Sequence, residues 1–320
     1  MSGLPLGYLT SSGERAGAIV PLTWFVLAVS VAVCVVIGGL LGLGVWRTRR
    51  HGPRVEPRAV AVERGGHGLG WIRWGLIASA LPLLVTLVWT MAALGRVVGP
   101  PRRPALVLDV TPRQWWWEVR YNGDEPDGTF LTANELHIPT GRRVLVRLHG
   151  ADVIHSFWVP QLSGKTDAIP GQTNLTWMQA DAPGRYRGQC AEFCGLEHAK
   201  MAFEVVADMP AAFERWRRAQ LQTAPPPATA AAQRGQQYFQ YRCALCHAVR
   251  GTDASSFYGP DLTHLMSRRL IAAGMLPNTR GSLAGWVQSP QAAKPGALMP
   301  DQKLTGQQLN DVLAYLETLQ

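Results

Sequence analysis

The sequence of 320 residues is poor in charge and lacks the motifs of several enzyme classes. Charged residues make up only 17% of it and hydrophobic residues 47%, which excludes a chain that is disordered by composition. It contains no serine-nucleophile motif, no P-loop, no dinucleotide-binding glycine motif and no pair of carboxylates suited to acid–base catalysis. Internal repeats are absent as well. The function must therefore depend on residues of another kind.

The positive charge of the chain is concentrated in one short segment. The net charge is +9, from 31 basic and 22 acidic residues. Arg47–Arg73 holds seven arginines against two glutamates, whereas residues 97–225 hold fourteen basic and fourteen acidic residues. Residues 226–320 carry eight basic and five acidic residues, without a basic cluster interleaved with aromatics. This distribution predicts no nucleic-acid partner.

Two uncharged hydrophobic runs flank the arginine-rich segment. Ala16–Trp46 has 31 residues and Trp74–Gly95 has 22, and about 20 apolar residues suffice to cross a bilayer as a helix. The runs predict membrane helices at about 19–46 and 72–95, with a pair of buried core helices as the alternative. The first run is too long for a signal peptide. Arginine-rich loops stay in the cytoplasm, so both chain ends should lie on the opposite face.

The part after Arg96 divides into two regions joined by a spacer. Short alternating segments between Ala105 and Ala207 predict an antiparallel β-sandwich or barrel, followed by a short helix near 211–220. Residues 223–232 are rich in proline and alanine and predict a stiff linker. The predicted domains are a membrane hairpin (1–96), a β domain (97–222), the linker (223–232) and a helical domain (233–320).

Five cysteines suggest where the chemistry lies. Cys34 falls in the first hydrophobic run, where a cysteine acts as a small apolar residue. The other four form two close pairs, one in the β region and one after the linker. Disulfides across such short loops would be poor staples, and each pair lies near other metal ligands. Metal sites are therefore favoured over disulfides.

The first pair lies in the segment from Cys190 to Met201, which also contains Cys194 and His198, and His155 lies upstream. Two thiolates, two imidazoles and a thioether suit copper better than magnesium, calcium or manganese. Cysteines four positions apart on a tight loop can both face one centre, so each sulfur can bridge two metal ions. A blue-copper site needs only one cysteine, and zinc has no use for a weak methionine. The spacing thus favours a dinuclear copper centre.

This loop, together with the segment His155–Trp158 and the aromatic run Gln114–Glu118, resembles subunit II of cytochrome c oxidase and its CuA domain. The resemblance covers roughly residues 16–220, including the two-helix anchor. It implies a cupredoxin-like fold for the β domain. It also implies a set of copper ligands, namely the side chains of His155, Cys190, Cys194, His198 and Met201 and the backbone carbonyl of Glu192.

The same resemblance implies three further features. The Glu192 carboxylate would reach a magnesium ion at the boundary with subunit I, although it could equally be a solvated loop acid. Trp115 would be the exposed ring through which electrons enter the copper domain, whereas Trp116 would suit a core position because strand side chains alternate. Family members that use the long proton-uptake route carry a glutamate about two turns before the helix-kinking proline. The corresponding residue here is Gly75, so proton uptake must differ.

The second cysteine pair forms the run Cys243-Ala-Leu-Cys246-His247. This is the attachment signature of c-type haem, in which two thioether bonds hold the porphyrin and the histidine ligates iron. A CxxC pair alone could instead be a zinc site or a redox dithiol. The adjacent histidine and the exported location favour haem.

The sixth iron ligand is usually methionine, and Met299 is the best candidate. It lies in Lys294–Pro300, whose flanking prolines resemble the ligand loop of class I cytochromes c. Met266 and Met275 are the alternatives, and we expect both in the core. A segment around Pro260 resembles the loop that packs on the histidine side of the haem. The C-terminal region is thus predicted to be an all-α class I cytochrome c domain.

Together these features predict subunit II of a haem–copper terminal oxidase with a fused cytochrome c domain in a bacterial plasma membrane. Electrons would pass from a cytochrome c or another redox donor through haem c and CuA to subunit I, with subunit III as a further partner. Oxygen would be reduced to water in subunit I, coupled to proton translocation, so no catalytic residue is assigned to this chain. One alternative is the CuA subunit of a nitric oxide reductase. Another is a copper chaperone, which the closed five-side-chain site disfavours.

The linker also predicts how the two redox domains work together. A tether holds the haem at high local concentration beside the copper domain, so transfer between them should be intramolecular. The balanced charge of the copper domain would steer a free basic cytochrome only weakly. A local acidic patch at Asp124, Glu125 and Asp127 remains an alternative docking site for such a cytochrome.

Overall fold

A computed structural model of the chain describes residues 5–51, 68–123 and 128–320. The predicted cytoplasmic loop lies for the most part in the gap at 52–67, and the acidic patch at 124–127 also lies outside the described residues. Residues 17–98 form one compact unit, and residues up to 16 together with 99–320 form the other.

The membrane unit is formed by two long helices, α1 (Glu14–His51) and α2 (Gly68–Val97). Within the described residues, both are long and apolar enough to cross a membrane. Their large apolar side chains are exposed along most of their length, and the rings of Phe25 and Trp89 lie 5.5 Å apart. Each helix extends a few residues past its predicted ends because helical backbone continues into the polar flanks.

The β domain consists of two five-stranded sheets packed face to face, which confirms the predicted sandwich. The first sheet has the order β3-β2-β1-β5-β8 and the second has the order β4-β10-β9-β6-β7. The strands are β1 (Leu106–Arg113), β2 (Trp116–Tyr121), β3 (Phe130–Ala133), β4 (Glu135–Pro139), β5 (Val144–His149), β6 (His155–Trp158), β7 (Thr166–Ala168), β8 (Thr173–Met178), β9 (Gly184–Cys190) and β10 (Ala202–Asp208).

The alternating segments predict an antiparallel sandwich, but two of the strand pairs are parallel. β1 pairs with β5 in parallel, and β10 pairs with β4 in parallel. Residues 134–143 take the chain from the edge of one sheet to the edge of the other and back, so neighbouring strands need not be consecutive in sequence. The alternating segments predicted the strands but carry no information about this order.

The tryptophan run enters the core at a different residue from the one expected. In β2 the buried positions alternate as Trp117, Val119 and Tyr121, and the Trp117 ring packs against Phe157 and Phe203. Trp116 is only half-buried. The prediction that Trp116 suits the core was therefore wrong, because the inward-facing positions of β2 begin at Trp117.

The C-terminal domain is mainly helical. Helix α3 (Pro210–Gln220) ends the β domain, and the following helices are α4 (Ala230–Arg242), α5 (Arg280–Gln288), α6 (Pro290–Ala293) and α7 (Gly306–Leu316). Two-residue strands β11 (Leu270–Ile271) and β12 (Leu276–Pro277) form a small hairpin. The predicted linker overlaps α4 by three residues, because the Thr229 side chain accepts a hydrogen bond from the Ala232 amide and caps the helix there.

The two terminal helices of this domain pack closely. A Cβ atom on Gly235 of α4 would lie only 1.9 Å from the carbonyl oxygen of Asp311 in α7, so only glycine allows this approach. Arg234 adds a two-pronged ion pair with the Asp311 carboxylate at 2.7 and 2.9 Å. The crossing of α4 and α7 fixes the end of α4, from which the haem-attachment residues emerge.

Candidate functional site

The copper-ligand candidates meet at one end of the second sheet. β6 begins at His155 and β9 ends at Cys190, and these strands pair with Phe157 opposite Cys190. Residues 191–201 form the loop from β9 to β10, which are also neighbours in the sheet. The sheet register therefore places His155 beside the loop that carries the remaining candidates.

The donor atoms of this loop face one another at short distances. The Sγ atoms of Cys190 and Cys194 lie 3.8 Å apart, well beyond a disulfide bond of about 2.05 Å. His155 Nδ1 lies 3.9 Å from Cys190 Sγ, and His198 Nδ1 lies 3.5 Å from Cys194 Sγ. Met201 Sδ lies 3.8 Å from Cys194 Sγ. The five side chains thus surround the pair of sulfurs, with one histidine on each.

The backbone supplies a sixth donor. The carbonyl oxygen of Glu192 lies 3.2 Å from Cys190 Sγ. Four of the side-chain donors are withdrawn from solvent: His155 and Met201 are fully buried, and Cys190 and Cys194 are 2% and 3% exposed. His198 is half-buried. Burial among soft donors suits copper and keeps out the harder, hydrated cations.

The two cysteine side chains are coupled electrostatically. Hydrogen bonding between them lowers the pKa of Cys190 and raises the pKa of Cys194. Cysteine binds metal as the thiolate, so the lowered pKa of Cys190 favours metal binding. The donor set of thiols, imidazoles and a thioether fits a copper pair.

Asp152 fixes the orientation of His155 and was not found from the sequence. Its carboxylate accepts from His155 Nε2 at 2.8 Å, which leaves Nδ1 directed at Cys190. Burial of His155 opposes its positive charge, but the hydrogen bonds to Asp152 and Cys190 raise its pKa. Such carboxylate partners commonly set the tautomer of metal-binding histidines. The position of Asp152 three residues before His155 was the available sequence signal.

The magnesium prediction at Glu192 gains no support. Within the described residues, the one group of three or more histidine, cysteine or acidic side chains able to share an ion is His155, Cys190 and Cys194. The Glu192 carboxylate does not belong to it, and its side chain is half-buried on the loop.

The haem-attachment residues lie at the end of α4. The His247 amide donates to the Cys243 carbonyl at 2.9 Å, which continues the helical turn through the CxxCH run. His247 Nδ1 donates to the Pro260 carbonyl oxygen at 2.8 Å, leaving Nε2 free of a proton for iron. Burial lowers the pKa of His247, so the ring stays neutral. Pro260 thus lies against His247, where the sequence placed it.

A cavity of about 490 Å³ opens in front of His247. Its wall contains Cys243, Cys246, His247 and Met299, along with many apolar side chains. Neither Met266 nor Met275 is in that wall. Gly259 lies so close to His247 that a Cβ atom there would be 2.8 Å from the ring, which leaves no room for a side chain. The donor set and the apolar wall fit a haem held by two thioethers, with His247 and Met299 as axial ligands.

The Met299 loop is organised by one glutamine. Gln291 Nε2 donates to the carbonyls of Ala297 and Met299 at 2.7 and 2.8 Å, and its Oε1 accepts from the Gly296 amide at 2.8 Å. These three bonds close the loop on itself. The backbone of Met299 is therefore fixed on the side of the cavity that its side chain lines.

Trp115 connects the two candidate metal centres. Its indole Nε1 donates to the carbonyl oxygen of Cys194 at 2.9 Å, and the side-chain Nε2 of Gln114 donates to the same oxygen at 2.7 Å. Both residues also line the haem cavity. One ring therefore contacts the copper loop and the haem cavity together.

The prediction that Trp115 is an exposed ring was wrong, since the side chain is half-buried. The helical domain packs beside it: a Cβ atom on Gly296 would lie 3.7 Å from the Trp115 ring and 3.1 Å from the Leu196 side chain. The sequence pattern of the β domain predicts which side chains face its own core, but it cannot predict which surface side chains a second domain covers.

Comparison with known proteins gives two domain matches. Residues 129–208 match the family described as "Cytochrome C oxidase subunit II, periplasmic domain", and residues 232–320 match the family described as "Cytochrome c". The first match contains His155 and the copper loop. The second contains the CxxCH run and Met299.

Several curated proteins are similar over two thirds of the chain. Cytochrome c oxidase subunit 2 of Alkalihalophilus pseudofirmus is 38% identical over 214 residues, which is 66% of this chain and 60% of that protein. The subunit 2 of Bacillus sp. strain PS3 is 34% identical over 67% of this chain and 62% of that protein. The chain thus spans somewhat under two thirds of the length of these relatives.

Among solved structures, the periplasmic domain of subunit II of cytochrome oxidase from Bradyrhizobium japonicum is 32% identical. The match covers 37% of this chain and 94% of that domain, with a TM-score of 0.35.

Proposed function

We propose that this chain, in which residues 129–208 match the periplasmic domain of cytochrome c oxidase subunit II and residues 232–320 match cytochrome c, is the electron-transferring subunit of a haem–copper terminal oxidase. In this proposal the chain takes electrons at haem c, passes them to a dinuclear copper centre and delivers them to subunit I. Oxygen is reduced to water in subunit I. The observation that carries the proposal is Trp115, whose ring borders the haem cavity and bonds to the copper loop.

The residues on the copper side have separate tasks. The copper pair would be held by the thiolates of Cys190 and Cys194 and the imidazoles of His155 and His198, with Met201 and the Glu192 carbonyl as weaker donors. A bound copper pair supplies one-electron chemistry. Asp152 holds the His155 ring in place, and the buried surroundings keep water away, so little has to move when the charge changes.

On the haem side, the chain supplies attachment, ligation and a low-dielectric pocket. Cys243 and Cys246 would hold the porphyrin by thioether bonds, and His247 and Met299 would be the axial ligands. The bond from His247 to Pro260 fixes the ring so that Nε2 faces the cavity. Bound haem c supplies a second one-electron carrier. No proton transfer within this chain is needed.

The Trp115 ring joins the two sites, because it bonds to the Cys194 carbonyl and lines the haem cavity. Replacing Trp115 with leucine should slow haem c oxidation by copper by roughly tenfold, about 1.4 kcal/mol in activation free energy, because the ring and its bond to Cys194 are both lost. The measurement is flash or stopped-flow absorbance of haem and copper in the purified complex. Optical and paramagnetic-resonance spectra of both centres should stay unchanged.

Trp116→Leu is the matched control for this change. Trp116 lines the same cavity, whereas the indole bonded to Cys194 belongs to Trp115. We expect near-normal transfer in Trp116→Leu. Equal slowing in both variants would show that any aromatic in the cavity wall serves and that Trp115 has no special role.

The chain is further proposed to sit in a bacterial plasma membrane with both redox domains outside the cytoplasm. The arginine bias between the two hydrophobic runs supports this orientation. A cysteine introduced at Arg54 should escape an impermeant thiol reagent in intact cells and react after lysis. A cysteine at the exposed position Gln222 should react in both. Labelling of intact cells at Arg54 but not at Gln222 would reverse the orientation.

Activity of the purified assembly tests the function itself. A complex isolated through this chain should contain subunit I, covalent haem c and two coppers per chain, and should consume oxygen with a reduced cytochrome as donor. Reduction of nitric oxide instead of oxygen would favour a nitric oxide reductase. A single copper that a chelator removes easily, without oxygen uptake, would favour a chaperone.

A further inference from the structure

Lys294 is a buried lysine at the boundary between the two redox domains. It follows α6 directly and lies five residues before Met299. Its side chain is only 3% exposed, and lysine is rarely buried to this extent without a partner. Burial lowers the pKa of Lys294 to about 8. A position this costly for an ammonium group calls for a compensating contact.

That contact reaches across to the copper domain. Lys294 Nζ donates to the backbone carbonyl oxygen of Trp115 at 2.7 Å. A second lysine makes the same kind of bond in the opposite direction: Lys200, in the copper loop, donates to the carbonyl of Ala293 at 2.9 Å. Two adjacent residues of the cytochrome domain are thus joined to the copper domain by reciprocal lysine bonds.

A buried acid lies between the two lysines. Glu197 is 4% exposed, and its carboxylate pairs with Lys200 at 3.2 Å. Its charge also acts on Lys294. Buried charges persist when they are paired and hydrogen-bonded. We call this group, Lys200, Glu197, Lys294 and the two carbonyls they reach, the lysine clasp.

Other contacts hold the same two domains together farther from the cavity. Arg269 pairs with the buried Glu204, the Ala202 amide donates to the Ala273 carbonyl at 3.1 Å, and Arg250 donates to the Thr129 carbonyl at 2.7 Å. These contacts dock the cytochrome domain in general. The clasp differs from these three contacts because it reaches Trp115 and the start of the Met299 loop.

We propose that Lys294 is a positioning residue that holds the haem-ligand loop against Trp115 and so sets the rate of electron transfer between the two centres. The inference rests on the proposed function. The transfer moves one electron from the haem iron to the copper pair, and no bond is made or broken and no proton is taken up. Lys294 acts only by keeping the Met299 loop in contact with Trp115. Its ammonium bonds to the Trp115 carbonyl, and its backbone is continuous with the loop.

The test is Lys294→Met in the complete oxidase with both cofactors bound. Methionine keeps an apolar chain of similar length but cannot donate. Haem-to-copper transfer, followed by flash kinetics, should slow by about tenfold, or about 1.4 kcal/mol in activation free energy, because the Met299 loop loses its bond to the Trp115 carbonyl and is no longer held against the ring. Lys303→Met is the matched control, since Lys303 is an exposed lysine of the same domain.

Further readouts separate positioning from a general loss of structure. In Lys294→Met the haem spectrum, the methionine-ligation band, the copper resonance and both reduction potentials should match the unmodified protein. If Lys294→Met fails to accumulate with both cofactors, Lys294→Gln, which keeps a neutral donor on a shorter chain, should show the same slowing.

The outcomes are distinct. A transfer rate in the Lys294 variant within about twofold of the Lys303 control, a difference of about 0.4 kcal/mol, overturns the clasp and leaves the proposed function standing. Slowing that is accompanied by altered haem or copper spectra also overturns it, because the effect would then lie in the ligands. An unmodified complex without any haem-to-copper transfer overturns the proposed function and the clasp with it.

Discussion

Cys194→Ser is expected to abolish the dinuclear copper centre, with complete loss of the multiline resonance of an electron shared by two coppers. Cys194 Sγ lies within 3.8 Å of three other donor atoms, on Cys190, His198 and Met201. Serine oxygen is a harder donor and does not bridge two coppers as thiolate does. Paramagnetic resonance of the purified complex, with copper counted per chain, measures the result.

Two variants calibrate this experiment. Cys34→Ser, a cysteine of α1 far along the chain from the loop, should leave the copper signal intact. Met201→Leu should be milder, changing the potential and the retention of metal without removing the centre. A multiline copper signal that survives in Cys194→Ser would show that the centre does not need two bridging sulfurs.

A Met299→Leu variant is expected to lose reduction of copper by an external donor, with donor-driven oxygen uptake falling to background. Met299 and His247 both line the haem cavity, so the loss of Met299 would remove the proposed sixth ligand and shift the haem away from its working potential. The cytochrome domain packs beside Trp115 and covers part of that ring, so we expect the donor to reach copper through haem c. Stopped-flow mixing with a reduced cytochrome measures both absorbances.

Met266→Leu is the control, since Met266 packs against the core of the same domain and does not line the cavity. Leucine for methionine conserves volume and is usually well tolerated. Copper that is still reduced at full speed in Met299→Leu, or in a His247 variant, would contradict haem c as the obligatory first carrier.

The candidate ligand residues stand out in the sequence because their spacing is short and chemically distinctive. Cys190, Cys194 and His198 fall within one loop, and CxxCH fixes the other site within five residues. The structure places His155 and Met299 beside them. Sheet pairing between β6 and β9 accounts for His155, which lies 35 residues before Cys190 in the sequence.

The contacts between domains could not be predicted. Lys294 in the sequence is one lysine near a proline, and nothing local indicates that its ammonium is buried against Trp115. The half-burial of Trp115 has the same cause. The sequence also indicated the wrong tryptophan for the core, because β2 begins at Trp116 and the side chain of Trp117 faces inward. Strand alternation gives a period but not a starting point.

The linker is less of a free tether than its composition suggested. The Ala224 amide donates to the Arg250 carbonyl at 3.0 Å, so the first residues after α3 already lie against the cytochrome domain. The tether is therefore only part of what holds the cytochrome domain beside the copper domain. The contacts of Lys294 and Glu204 also hold the two domains together.

The most direct test is injection of one electron into the fully oxidised complex by a light-triggered reductant, with haem and copper absorbance followed in time. Haem c should be reduced first, and copper should then be reduced at the rate at which haem is reoxidised, independently of protein concentration. Copper reduced before haem c, or a transfer rate that rises with protein concentration, would contradict electron transfer from haem c to copper within one chain.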